Sequence, residues 1–570
     1  MPSQQIHAGR FAAEWKKEVA RLGLIHAVER IFAKDASLWK ADEAVQRAIR
    51  NRLGWCDSIE PMQREIPAMK QFAAEINEVG LKEVALLGMG GSSLAPEVFS
   101  LVFAAPGGRR MFVLDSTDPA SILGVERAVN LRETLFIVAS KSGKTIETLS
   151  QFRYFHEAVA KHTGVPPGPN FVAITDPGSL LEQQGKELGF RKVFLNAADI
   201  GGRFSALSYF GLVPAAVWGV DLVALLESAA AMKGSCAAGV EAEANPALGL
   251  GALMAVAAQQ GANKMYLFAS PTMASLGNWV EQLVAESTGK EGKGVVPIAG
   301  EVPGSASLFA DGVAVFVTVA GEQSPELGSL AMELEEKGAP TVRIHLERRE
   351  ELGGEFFRWE MATAVAGASL EINPFDEPNV QESKDATARI LEQYKATRVM
   401  PSGIPRLAEG EIGLFAEGPA RNRIFTRKIA AALRTFFGDR QPGDYLAILA
   451  YIDRNAENEK RLATLRVLLR DKLKMPVLLG FGPRFLHSIG QLYKGGPAQG
   501  MFLQLTCGDP EDARIPGEDF SFSQLKMAQA LGDLESLVKR DKPAIRLHMK
   551  GGPKEGLKQV EAMVREALLA

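Results

Sequence analysis

From Val84 onward the chain alternates short, wholly apolar runs of β type with longer helical patterns, and this alternation constrains the fold more than any other feature. The first series is VALLGMG (84–90), MFVLDS (111–116), LFIVASKS (135–142), FVAITD (171–176) and KVFLN (192–196). A second holds KMYLFAS (264–270), VAVFVTVA (313–320) and TVRIHL (341–346). A third holds YLAILAYI (445–452), PVLLGFG (476–482), MFLQLT (501–506) and AIRLHM (544–549). Strands that are apolar on both faces, with helices between them, belong to parallel sheets covered on both sides. The pattern therefore predicts three-layer α/β/α architecture in three units. Before Val84, residues 8–80 read as helical, with apolar positions such as Phe11, Trp15, Val19, Leu22 and Leu24.

A chain of 570 residues has room for three to four domains. Soft boundaries lie near 235–248, a small-residue stretch, and near 400–422, where turn residues cluster and periodicity is weak. Lys and Arg number 64 against 68 Asp and Glu, a net charge of −4, which argues against a nucleic-acid partner held mainly by phosphates. The three cysteines, Cys56, Cys236 and Cys507, are far apart, form no C-x-x-C pair, and read as packing residues in a reducing compartment. No apolar run reaches the roughly 18 residues needed for a membrane span, and the first residues lack the apolar core of a signal peptide. A cytoplasmic protein without a membrane partner is the expectation.

Two segments stand where strands should end, the edge at which open parallel sheets bind ligands. GMGGSSLAPE (88–97) follows VALL, and its glycines let backbone approach an anion. SKSGKTIET (140–148) follows LFIVA and gathers Ser140, Ser142, Thr145 and Thr148 around Gly143, with Lys141 and Lys144. Neither is a P-loop. A dinucleotide site, with Asp115 as its acidic residue, stays open as an alternative, but the hydroxyl density of the second loop favours a phosphate monoester. Three more segments concentrate polar groups: DIGGRFSALSYFGLVP (199–214) with Arg203, WVEQLVAESTGKEGKGVVP (279–297) with Glu286, and INPFDEPNVQESK (372–384) with Lys384.

Taken together and in this order over residues 84–384, these segments resemble the glucose-6-phosphate isomerase family, GGRFS and ESTGK most specifically. The whole chain is similar to the isomerase half of bacterial transaldolase/glucose-6-phosphate isomerase fusions. The resemblance implies two flavodoxin-like sugar-isomerase (SIS) domains and an extra C-terminal α/β portion. Divided on that basis, residues 1–50 form an N-terminal helical extension, 51–240 the first sugar-isomerase domain, 241–400 the second, and 401–570 a C-terminal portion contributing to the active site. It further implies an aldose–ketose isomerase of glycolysis and gluconeogenesis, which opens the sugar ring and moves a proton between C2 and C1 through an enediol, with no cofactor and no metal. A base, an oxyanion stabiliser and a phosphate anchor are what such chemistry needs.

By this resemblance Glu286 is the C2 base and Arg203 stabilises the enediolate. Gly91, Ser92, Ser140, Lys141, Ser142 and Thr145 contact the 6-phosphate. Lys384 lies near the ring-opening end, and Glu147 is similar to the carboxylate that orients the family's ring-opening histidine. That histidine normally precedes the lysine motif. Here only His345 lies between Glu286 and Lys384, inside a β-like run, whereas the similar text occurs later, in FLHSIGQLYKGGP (485–497). His487 is thus expected to be the relocated acid–base residue, with Lys494 either beside it or on the surface. The site is expected between the first two units, closed by elements carrying Lys384 and His487. Thr288 stands where the family usually has Asn, and Glu377 where Gln is usual; either could widen specificity to mannose 6-phosphate. A non-catalytic sugar-phosphate sensor is the rival from another class. Homodimers are usual in the family, and a partner can supply the histidine.

Overall fold

The computed structural model describes residues 3–105 and 108–569. In chain order the strands are β1 (Ser3–His7), β2 (Glu83–Gly88), β3 (Arg110–Leu114), β4 (Thr134–Ala139), β5 (Phe171–Thr175), β6 (Lys192–Leu195), β7 (Lys264–Ala269) and β8 (Val296–Ile298). They continue with β9 (Gly312–Val319), β10 (Thr341–Leu346), β11 (Leu407–Glu409), β12 (Ile412–Ala416), β13 (Leu446–Tyr451), β14 (Val477–Phe481), β15 (Met501–Cys507) and β16 (Ala544–Met549). They form three sheets, one from each series of apolar runs, ordered β3-β2-β4-β5-β6, β1-β10-β9-β7-β8 and β11-β12-β16-β15-β13-β14. The first is parallel throughout. The fold is α/β with parallel sheets.

In each sheet the chain reverses its direction of strand addition once, between β2 and β4, between β7 and β9, and between β13 and β15. Loops leaving the carboxyl ends of such a pair diverge to opposite faces and leave a crevice there.

The chain falls into two compact units. One comprises residues 1–115 and 129–377; the other comprises 116–128 and 378–570. The first unit therefore holds both the first and second sheets, over one hydrophobic core running from Ala8 to Phe375. The break lies at Glu377/Pro378 rather than near residue 400, so the helix Val380–Thr397, with Lys384, folds with the third sheet.

Residues 3–50 are mainly helical, with helices Ala12–Leu24, Ala27–Phe32 and Glu43–Arg50, but they open on a strand. Ser3–His7 is a strand, antiparallel to β10, with an alternating exposure pattern suited to an edge. Its polar sequence SQQIH carries no apolar run by which to be read. Nor are these residues an appendage: the Trp15 and Trp39 indoles donate to the carbonyls of Gly249 and Ala364. The boundary stretch near 400–422 likewise contains β11 and β12, a hairpin that extends the third sheet through antiparallel β16. Among the described residues no helix is long and apolar enough to cross a membrane. Cys56, Cys236 and Cys507 are buried and free, and burial pushes the thiols of Cys236 and Cys507 up to about 12, which leaves them inert as nucleophiles.

Candidate active site

The two glycine- and serine-rich loops leave neighbouring strands, since Gly88 at the end of β2 pairs with Ala139 at the end of β4. They flank the crevice of the first sheet. After β2 the chain makes a tight turn over Gly90–Ser92 and enters the helix Leu94–Val102. Gly91 is required by packing: a Cβ there would lie 2.0 Å from the Gly202 carbonyl oxygen and 2.8 Å from the Arg203 nitrogen. The first loop thus rests directly on the backbone that carries Arg203, and the Ser205 hydroxyl donates to the Gly202 carbonyl at 2.6 Å.

After β4, Ser140 to Thr145 lead into the helix Ile146–Thr163. Gly143 has φ +65°, and a Cβ would meet the Leu181 nitrogen at 2.5 Å. The Ser140 hydroxyl accepts from the Gly143 amide and lies 3.2 Å from Thr145 Oγ1; the Ser142 hydroxyl accepts from the Lys144 amide at 3.3 Å. Thr145 occupies the N-cap position, yet its side chain makes no capping bond. The loop so gathers hydroxyls and first-turn amides, the donor chemistry that binds phosphate oxygens. The Lys141 ammonium is held by the Asp176 carboxylate at 2.5 Å and the Ala198 carbonyl at 2.8 Å. Glu147 is buried in the first turn of the same helix.

Arg203 lies in the turn Gly202–Phe204 and is only 4% exposed. Its guanidinium is fixed on every side. Nε donates to the Ser287 hydroxyl at 2.8 Å, Nη2 to the carbonyls of Pro374 and Asp376 at 2.8 and 2.9 Å, and Nη1 to Glu377 Oε2 at 3.0 Å. Glu286 Oε1 is 3.4 Å from the same Nη1. Glu286 sits near the end of the helix Leu276–Thr288, buried, with Gln282 one turn earlier donating to its Oε2 at 3.2 Å. A planar, permanently charged group in this pose is pre-oriented for an oxyanion.

Lys290, which its sequence does not distinguish from a surface lysine, is buried beside this pair. It donates to the Asn373 carbonyl at 2.6 Å and to Asp376 Oδ1 at 2.7 Å. Burial first, then the neighbouring Arg203 charge, lowers its pKa to about 8. Lys290 and Arg203 together pin the loop 373–377. Thr288 is spent on its own backbone: its hydroxyl donates to the Val284 carbonyl at 2.8 Å and accepts from the Val295 amide at 3.0 Å. Glu377, by contrast, reaches Arg203 directly.

Lys384 and His487 belong to the second unit. Lys384 is exposed on the helix Val380–Thr397, and His487 ends the turn Arg484–His487 half-buried. Their two motifs are tied together. The Asn379 amide donates to Gln491 Oε1 at 2.8 Å, and Gln491 Nε2 donates back to Asn379 Oδ1 at 2.7 Å. Of the two places expected for Lys494, the surface is excluded: it is buried and paired with Asp533 at 2.8 Å. His345 is a strand residue of β10 whose Nδ1 lies 2.9 Å from Thr318 Oγ1. Among the described residues no cluster of His, Cys, Asp and Glu has the makings of a metal site.

The Phosphoglucose isomerase family matches residues 57–299, the stretch that contains both loops, Arg203 and Glu286. A glucose-6-phosphate isomerase of a Synechococcus strain is 30% identical over 380 residues, covering 57% of this chain and 70% of that protein. The Rubrobacter xylanophilus enzyme of the same name is 29% identical over 388 residues, covering 57% and 87%. Among solved structures, a hypothetical protein of Thermus thermophilus superposes with a TM-score of 0.60 at 24% identity, over 68% of this chain and 99% of that one. A glucose-6-phosphate isomerase of Chlamydia trachomatis does so with 0.53 at 19% identity, over 66% and 85%. These two show the fold. On the strength of the sequence matches, the chain belongs to the glucose-6-phosphate isomerase family.

Proposed function

We propose that the chain interconverts glucose 6-phosphate and fructose 6-phosphate, with Glu286 as the base that carries the proton between C2 and C1. The observation that carries this reading is the buried Arg203–Glu286 pair at 3.4 Å, standing on the backbone of the first glycine-rich loop. A carboxylate held against a fixed guanidinium supplies both needs of enediol chemistry, a proton acceptor and a cation at the oxygen where charge develops. Phosphate binding by Gly91, Ser92, Ser140, Ser142 and Thr145 is the anchor that holds C1 and C2 in place. With the Lys141 ammonium engaged by Asp176, its contribution to phosphate is assigned to its backbone.

His487 and Lys384 are assigned to ring opening on the strength of their motifs, with Glu147 in support. The likeness to the isomerase half of the transaldolase fusions rests on the same motif order. A cytoplasmic location fits the reading, and a homodimer is the state usual in the family. A sensor would need the phosphate loops alone, and the retained proton-transfer set speaks against it.

The test is a coupled isomerase assay on the purified protein after chelation, with mannose 6-phosphate run alongside. Conversion of glucose 6-phosphate is expected, and its absence sinks the proposal. For His487, the decisive substrate is 5-deoxyfructose 6-phosphate, which lacks the hydroxyl that closes the ketose ring. His487→Ala should lower turnover of fructose 6-phosphate by about a hundredfold and spare the open analogue. Equal losses on both remove the ring-opening role.

A further inference from the structure

Arg203 Nη1 stands between two carboxylates, Glu377 Oε2 at 3.0 Å and Glu286 Oε1 at 3.4 Å. The proton transfer requires one base, so the second carboxylate calls for its own account. The Glu377 side chain is 44% exposed, but the backbone that carries it is fixed. Glu377 ends the loop that Lys290 holds through Asn373 and Asp376, and that gives Arg203 Nη2 the carbonyls of Pro374 and Asp376. The charged groups facing Glu377 are Arg203, Lys290 and Arg52. The carboxylates paired with Arg203 and Lys290 are Glu286, Glu377 and Asp376. Three carboxylates thus share Arg203 and Lys290, with Arg52 a further cation acting on Glu377, at the place where an anionic intermediate must form. Of the two acids on Nη1, Glu377 has the shorter contact and Glu286 the longer.

We propose that Glu377 is a positioning residue: a second carboxylate on Arg203 that withholds part of the guanidinium's charge from Glu286 and from the nascent enediolate. It tunes the base without taking the proton. The proposal rests on Glu286 being that base. Holding Nη1 on Glu377 loosens its grip on Glu286 and leaves Glu286 more basic than a carboxylate with an arginine to itself. Neutralising Glu377 turns the guanidinium back towards Glu286 and makes that group more acidic, because an unshared cation favours the ionised form.

The experiment is the pH profile of kcat/KM for wild type, Glu377→Gln, Glu377→Asp and Glu286→Gln. In Glu377→Gln the acid limb should move down by about half a pH unit to one, with KM for the sugar phosphate little changed. Glu377→Asp keeps the charge and should keep the limb within about 0.2 of the wild-type position. An active Glu377→Gln whose limb stays in place overturns the inference, and so does an Asp variant that shifts as far as the Gln variant. Complete inactivity of Glu377→Gln beside an active Asp variant also overturns it, since Glu377 would then be a reacting group. Failure of the underlying reading looks different: Glu286→Gln would retain wild-type turnover whatever the Glu377 variants do.

Discussion

The first and third sheets carry the same topological crevice and have furnished it in opposite ways. In the first sheet the loops after β2 and β4 bring glycines, hydroxyls and helix-start amides, with Gly91 packed so tightly that no side chain fits. In the third sheet the loops after β13 and β15 bring Asp453 and Asp509, and both are occupied from within their own unit. Ser121 donates to Asp453 at 2.6 Å, and buried Lys526 pairs with Asp118 at 2.8 Å and with Asp509. Ser121 and Asp118 come from the segment 116–128, which the chain emits between β3 and β4. A strand-end crevice is thus only an opportunity. Small residues and clustered donors suit it to a ligand, whereas paired charges and an inserted segment fill it from within.

This contrast can be broken from either side. The largest effect is expected at the open crevice: Glu286→Gln should lower turnover at least a hundredfold while leaving binding of a sugar-phosphate analogue near wild type, measured by calorimetry beside the coupled assay. Wild-type turnover in that variant would end the base assignment. At the closed crevice, Lys526→Met leaves Asp118 and Asp509 without their cation and should destabilise the second unit by about 3–5 kcal/mol. All six tryptophans lie in the first unit, so their fluorescence should unfold as before while hydrogen exchange of β13 and β15 accelerates. A shift in both probes would deny that the cluster is local to its unit.

Ser140→Ala removes a hydroxyl from the phosphate loop and should raise KM roughly tenfold with a small change in kcat. A KM within twofold of wild type would place the phosphate elsewhere. The smallest effect concerns His548 in β16, whose Nδ1 lies 3.0 Å from Thr506 Oγ1. Burial first, then Arg546 and Lys526, push its pKa from 6.5 down to about 4. Below pH 6.5 the unfolded chain gains a proton that the folded unit refuses until about pH 4, so stability drops as pH falls through that window and is unaffected above it. His548→Gln should flatten this part of the stability–pH curve; an unchanged slope would assign it to other groups.

The three sheets were legible because buried parallel strands must be apolar on both faces, and such runs stand out. What escaped lacks that signature: β1 is a polar edge strand, β8 spans three residues, and β11 and β12 lie among glycines and prolines. Within the site, Arg203 and Glu286 were legible through their motifs, and the structure sets them in contact. Lys290 escaped because a lysine in a turn reads as solvated, and only the fold reveals that Asn373 and Asp376 enclose it. Lys494 shows the same limit, since its buried partner Asp533 is remote in sequence. The passage of residues 116–128 to the second unit leaves no local trace at all, because their helix, Pro119–Ala128, reads alike whichever unit it joins.

That passage between units bears on how the protein is made. When a ribosome has delivered residue 377, every part of the first unit exists, yet residues 116–128 hang without the partners they will fold onto, which are nearly two hundred residues from completion. Cutting the gene at that junction would not yield two whole domains. The downstream piece would lack the segment whose Ser121 and Asp118 meet Asp453 and Lys526, and the upstream piece would carry one meant for elsewhere.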